Sequence, residues 1–342
     1  MNAHRDPELL RAAGQKDDHT DTRLLADVGA TNVRFASQFA PGGVLRHRAS
    51  YACSDFETLC DAICHYLWRE GLPHPRSAAI GIATPIVGDH VRMTNHRWSF
   101  SIQAVQHALG LERLLVMNDF SALALSLPAL DAADLRKIGG GEAVVGAPMG
   151  LIGPCTGLGV SGLVPAMQGG ALVPLSGEGG HVSLCAMAPQ EQEVLQVLQR
   201  RFGHVSAERA LSRPGLENLY QALAELRGLN VPARDAASIS QAALAGGDPL
   251  SEDTLQMFCG LLGDMAGNIA LTLGARGGLY IGGSIVPRLG DWFARSVFRP
   301  RFEAKGRFSR YLQDIPTYVL RTGDESALLG ASRALDAGLA AC

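Results

Sequence analysis

The sequence predicts an α/β fold, in a chain of 342 residues that is long enough for two domains or one large one. Three observations carry this. Short apolar runs of strand length alternate with segments whose apolar residues recur at helical spacing. A strand hairpin with a small-residue turn opens the first half of the chain, and a second hairpin of similar design opens the second half. Finally, 47% of the residues are hydrophobic against 18% charged, which supplies a sizeable core.

The elements follow in order. Residues 23–40 read as a hairpin turned at Gly29 and Ala30, in the stretch LLADVGATNVRFAS. Ser54 and Glu57 have the spacing of a capping box, and Phe56, Leu59, Ile63 and Leu67 recur at helical intervals until Gly71 stops the helix. The run SAAIGIA at 77–83 is a buried strand, and Pro85 and Gly88 mark the loop after it. A short helix near 102–109 precedes the strand RLLVM at 113–117, which ends in Asn118 and Asp119 and leads into the apolar FSALALSLP. The second hairpin is GLIGPCTGLGVSGLVPAM at 150–167, a faint repeat of the first. Helices are expected at 189–202, 206–211, 215–226 and 251–275, then the strand GLYIGG, and from Ser326 a helix that returns to the first domain.

Composition excludes some functions. A formal net charge of −3 lacks the basic excess of a non-specific nucleic-acid or membrane-surface binder. The 40 glycines exceed the usual share of about 7% and sit in short turns, which points to tight backbone geometry. Cys53, Cys60, Cys64, Cys155, Cys185, Cys259 and Cys342 are scattered and odd in number, as in a reducing compartment. Cys60, Cys64 and His65 could suggest a metal site, but the two cysteines fall on the apolar face of a helix, where core packing is the expected role. The opening residues, 1–22, read as a loose polar tail without a leader-like apolar segment, and no segment has the length of a membrane span. The expectation is a soluble, cytoplasmic protein.

The glycine-rich turns suggest phosphate. No Gly-Lys pair occurs, which excludes a Walker P-loop. Gly157, Gly159 and Gly162 match the dinucleotide fingerprint in spacing, but the turn runs into a β-like segment broken by Pro165 rather than into a helix. A tight turn can instead present successive backbone N–H groups to an anion, with Thr31 and Thr156 adding hydroxyls. Asp27 would repel a phosphate unless a cation lay between them, and water-mediated Mg²⁺ on a nucleotide polyphosphate resolves that conflict. The plainer alternative is an ordinary hairpin whose Asp caps its own turn.

Other residues suggest a sugar. Asn118 and Asp119 follow a strand's carboxyl end, where open α/β sheets place ligands, although both are also good helix N-caps. Glu178 and His181 lie in SGEGGH, a loop rich in glycine and better suited to function than to stability. Glu208 follows Ser206 in the first turn of a short helix, where favourable interaction with the helix dipole is its ordinary role. Carboxylates and amides pair well with vicinal hydroxyls, and an acid beside a sugar hydroxyl and a phosphate suits phosphoryl transfer.

At these motifs the chain resembles the bacterial glucokinases of the enterobacterial type, within the sugar kinase, actin and chaperone ATPase superfamily. The matching segments include ADVGATNVRFA, TNHRWSFSI, NDFSALALSLP, PCTGLGV, GEGGHVSL, FGHVSAERALSRPGL and GGLYIGGSIVPR, in order from about residue 23 to 335. The resemblance implies two actin-like, ribonuclease H-like α/β domains flanking a cleft. The small domain would cover 23–129, completed by 322–342, and the large one 130–321. The implied activity is ATP-dependent phosphorylation of glucose at its 6-hydroxyl, with Mg²⁺ bound through the ATP phosphates, in a homodimer. Asn118, Asp119, Glu178, His181 and Glu208 would bind the glucose hydroxyls, and Asp119 would be the catalytic base. Ala26, Asp27, Val28, Gly29, Ala30 and Thr31 would contact the ATP phosphates from the first hairpin, and Thr156 and Gly157 from the second. Gly282 and Gly283 would lie against the adenosine. Ala30 and Cys155 stand where glycine is usual, and the N-terminal tail is extra. The alternatives are a kinase for another hexose or an amino sugar, a catalytically silent sugar sensor, and a plain ATPase switch, against which the GEGGH loop speaks.

Overall fold

The first apolar run forms β1 (Arg23–Val28), every residue of which is buried. A turn at 29–31 leads into β2 (Asn32–Gln38), paired antiparallel so that Asp27 lies opposite Arg34. In this computed structural model the described residues are 22–166, 172–321 and 325–338. The tail expected at 1–22, apart from Thr22, lies outside them, as do Met167, Cys342 and the segment 322–324. The chain divides into two units, Met1–Ser126 with Asp324–Cys342, and Leu127–Gly323.

In the first unit, β3 (Arg46–Ala52) pairs with β2. The helix α1 (Leu59–Arg69) follows. Its capping box is Thr58 with Asp61, not Ser54 with Glu57 as expected. The residues Cys53–Asp55 form a 3-10 turn instead, and Phe56 leaves the helix to pack edge-on against Tyr51. Leu59, Ile63 and Leu67 are buried as their spacing requires. The strand β4 (Ser77–Ile82) runs parallel to β1. A small pair, β5 (His90–Arg92) and β6 (Ser99–Ser101), precedes α2 (Ile102–Ala108). Then β7 (Arg113–Asn118) runs parallel to β4 and leads into α3 (Asp119–Ser126). The sheet order is β3-β2-β1-β4-β7.

The second unit holds β8 (Leu135–Gly139), β9 (Met149–Pro154), β10 (Leu158–Pro165) and β11 (Leu172–Pro174). After α4 (Pro189–Phe202), the helix expected at 206–211 is a single 3-10 turn, Ala207–Arg209. It is too short for the helix dipole that was Glu208's ordinary role. Next come α5 (Arg213–Leu226), α6 (Ala236–Ala245) and the long α7 (Pro249–Leu273), whose buried residues run through the middle of the unit's core. The strand β12 (Leu279–Ile281), the helices α8 (Val286–Arg295), α9 (Phe298–Glu303) and α10 (Ser309–Gln313), and β13 (Thr317–Leu320) complete it. The sheet order is β11-β10-β9-β12-β13-β8.

The faint repeat of the sequence is a repeat of topology. In each sheet the first strand of a hairpin lies between an antiparallel and a parallel neighbour: β1 between β2 and β4, and β9 between β10 and β12. Such a switch point is where an open α/β sheet accepts a ligand beyond its strand ends. The chain returns to the first unit as α11 (Glu325–Asp336), which packs on α3. Gly330 makes that approach possible, because a Cβ there would stand 1.6 Å from the Ala122 carbonyl oxygen.

Candidate active site

In the first unit, the carboxyl end of β1 delivers Asp27 and the turn Gly29-Ala30-Thr31. Asp27 is nearly buried, and its Oδ2 accepts a hydrogen bond from Arg34 Nη1 at 3.1 Å. The turn is closed by the Gly29 N–H on the Asn32 carbonyl, at 2.9 Å, and its far side is tied down by the Cys53 N–H on the Thr31 carbonyl, at 2.8 Å. The Thr31 side chain is left exposed at the tip. Ala26 and Val28 are fully buried. They shape the strand, and only their backbone is available to a ligand.

The carboxyl end of β7 delivers Asn118 and Asp119. Asn118 Oδ1 accepts the N–H groups of Phe120, at 2.9 Å, and Ser121, at 3.3 Å, so the helix-capping role is realised here. Asp119 Oδ1 also accepts the Phe120 N–H, at 2.9 Å. A capping amide and a half-buried carboxylate therefore share the first turn of α3.

The second unit brings Glu178, His181, Glu208 and the turn Cys155-Thr156-Gly157 together. The residues Gly179–His181 form a 3-10 turn laid against β10. Gly180 is required there, since a Cβ would stand 2.1 Å from the Leu158 carbonyl oxygen. The loop is then fastened to the segment before Glu208 by the Leu184 N–H on Val205, at 2.9 Å, and the Ala207 N–H on Val182, at 2.8 Å. Glu208 reaches the second turn: its Oε2 accepts the Leu158 N–H at 2.9 Å. Partial burial raises the pKa of Glu178, His181 opposes the rise, and the nearby Glu208 carboxylate adds to it. Thr156 is exposed at the tip, as Thr31 is in the first turn.

Gly282 and Gly283 follow β12 and lie on the end of β9. The Gly282 N–H donates to the Ile152 carbonyl at 2.8 Å, and Gly283 holds a φ of +79°, with the Pro154 carbonyl oxygen where a Cβ would be. Ser284 comes next and joins Cys155 and Arg213: Arg213 Nη2 donates to Ser284 Oγ at 3.2 Å, and Cys155 Sγ lies 3.3 Å from the same hydroxyl. Beyond it is a cavity of about 560 Å³, lined by Arg213, Glu217, Asp235, Gln241, Ser284 and Arg288 among others.

Sequence reasoning missed Arg34, Leu158, Arg213 and Ser284. Arg34 was accessible to it, because pairing back from the turn puts this residue across from Asp27. The backbone N–H of Leu158 and the approach of Arg213 depend on long-range packing, and nothing local signals them. Among the described residues, no cluster of three or more His, Cys, Asp or Glu side chains is arranged to hold a metal ion by itself.

Known proteins agree on what this chain is like. A family model described as Glucokinase matches residues 24–337. A glucokinase of Aromatoleum aromaticum is 55% identical, over 94% of this chain and 96% of that protein. A bifunctional protein of Paraburkholderia xenovorans is 47% identical over 95% of this chain, which spans only 50% of that longer relative. Among solved structures, a glucokinase from an Antarctic psychrotroph superposes with a TM-score of 0.83 at 37% identity, covering 92% of this chain and 98% of that one. A glucokinase from Balamuthia mandrillaris, at 16% identity and a TM-score of 0.75, shares the fold. The fold is the actin-like, ribonuclease H-like α/β type expected from the sequence, and the chain belongs to the glucokinase family.

Proposed function

We propose that the protein transfers the γ-phosphoryl group of ATP to the 6-hydroxyl of D-glucose, giving glucose 6-phosphate and ADP. One observation carries this reading. In the second unit, Glu178, His181 and Glu208, whose chemistry suits sugar hydroxyls, gather beside a turn whose exposed Thr156 and small Gly157 suit a phosphate. Membership of the glucokinase family supports it.

Residue by residue, Glu178, His181, Glu208 and Asn118 hold the hexose hydroxyls. The Asp119 carboxylate accepts the proton of the 6-hydroxyl as that oxygen bonds to the γ-phosphorus, and the bond from the γ-phosphorus to the ADP oxygen breaks. The turn from Ala26 to Thr31, together with Thr156 and Gly157, positions the triphosphate. Gly282 and Gly283 bring the backbone close to the adenosine, for which the neighbouring cavity, lined by both apolar and polar residues, has ample volume. Asp27 is a single, nearly buried carboxylate at a strand end, which fits Mg²⁺ held through water on the ATP phosphates, where the ion neutralises phosphate charge. Arg34 pairs with that carboxylate and fixes its orientation. Most of the acceleration comes from orientation and charge neutralisation. The reading includes a homodimer acting in the cytoplasm, supported by the same resemblance.

A phosphorylation assay over glucose, mannose and glucosamine, with ATP as donor, tests this. The expected result is the highest kcat/KM for glucose, with one ADP formed per sugar phosphate. A preference for another hexose, or hydrolysis of ATP that ignores the sugar, contradicts it.

A further inference from the structure

Glu208 is not held by its own turn. Ser206 gives that 3-10 turn no side-chain cap, and the Glu208 carboxylate points to the second hairpin instead. There the same oxygen, Oε2, is fixed in two ways. The Leu158 N–H donates to it at 2.9 Å, and Gly157 leaves it room, since a Cβ at Gly157 would stand 2.5 Å from it. The Glu208 backbone cannot easily retreat. Ser212 Oγ donates to its carbonyl at 2.8 Å, and one residue further on the Arg213 N–H donates to the Cys155 carbonyl at 2.9 Å. The hairpin and Glu208 are thus tied together at both ends of a short loop.

We infer that Gly157 and the Leu158 N–H are positioning groups for the hexose: they seat the Glu208 carboxylate, so the second glycine-rich turn sets sugar affinity as well as phosphate contact. The inference rests on Glu208 binding the hexose, as proposed above. Two consequences follow from the geometry. The Leu158 N–H is already committed to a carboxylate, which leaves the phosphate to the Thr156 end of the turn. A side chain at 157 displaces Glu208 first, because the carboxylate is the nearest group it meets.

The test is a double-mutant cycle on glucose KM with Gly157→Ala, Glu208→Gln and the pair. Gly157→Ala is expected to raise glucose KM about tenfold or more, and to add almost nothing in the Glu208→Gln background. A glucose effect that persists undiminished in that background overturns the inference, as does an unchanged glucose KM in a folded Gly157→Ala protein. If Gly157→Ala alone fails to fold, Gly157→Ala/Glu208→Ala removes the opposing carboxylate and is expected to restore the thermal midpoint; failure to restore it counts against the seat. Glucose KM unmoved by Glu208→Gln would instead remove Glu208 from hexose binding, which is a failure of the proposed function and is read separately.

Discussion

Glu178 carries a consequence that its neighbours do not. Its pKa is raised by partial burial, against the pull of His181 and with a push from Glu208. A carboxylate accepts hydrogen bonds from sugar hydroxyls better than a neutral carboxyl does. Because the pKa is raised, the useful ionised form is lost at a higher pH than for an ordinary glutamate, whose pKa is about 4.3. Glucose KM is therefore expected to climb on the acid side starting above that value, and Glu178→Gln should raise KM at neutral pH and flatten the climb. A wild-type KM independent of pH down to about 4.3 contradicts this. The other acids differ in kind. Asp27 was legible as a strand-end acid from the sequence, and its ion pair follows from strand register. Glu208 was legible as a residue of interest, but its partner was not, because the Leu158 N–H reaches it through a contact 50 residues distant in sequence.

At the scale of elements, the hairpins and α4, α5 and α7 were legible because apolar period, glycine turns and caps agree there. The start of α1 was not. Two Ser/Thr-x-x-acid spacings lie in a row, and Phe56 between them is held outside the helix by its ring contact with Tyr51 and by the bonds its carbonyl accepts from Arg97 and Trp98, so that Thr58 rather than Ser54 caps the helix. The helices α6, α8, α9 and α10 and the strands β3, β5, β6, β8, β11 and β13 went unread, most of them being short. One junction has an energetic signature. Arg301 on α9 donates to both oxygens of Glu191 on α4, at 2.6 and 3.0 Å, and pairs with Asp264 on α7, which Lys305 also approaches at 3.7 Å. Burial alone would raise the Glu191 pKa; the bonds from Arg301 and from the Ala188 and Met187 N–H groups hold it below the usual value. Its stabilising contribution is then present above the unfolded pKa of about 4.3 and is lost as pH falls through the lower folded value. Arg301→Met leaves two buried carboxylates without their main partner and is expected to cost about 3–5 kcal/mol at neutral pH. The deficit should shrink in acid, where the Glu191 carboxylate left without Arg301 takes up a proton. Denaturant unfolding at pH 7 and pH 4 checks both the size and the trend, and a deficit independent of pH argues against the ion network.

At the scale of the whole molecule, the two units repeat one sheet plan, and each places a small-residue turn at the carboxyl end of its hairpin's first strand, after β1 and after β9. The repeat was faint in the sequence because the two hairpins share turn chemistry but few identities; strand pairing makes it plain. For the chemistry itself, Asp119→Asn is decisive, with glucose 6-phosphate formation from ATP and glucose followed beside direct glucose binding. The proposed mechanism predicts that the native protein forms glucose 6-phosphate in step with ADP, and that the variant still binds glucose while kcat falls about 10²–10⁴-fold. Undiminished turnover in the variant, or ADP release by the native protein without sugar phosphate, would contradict it.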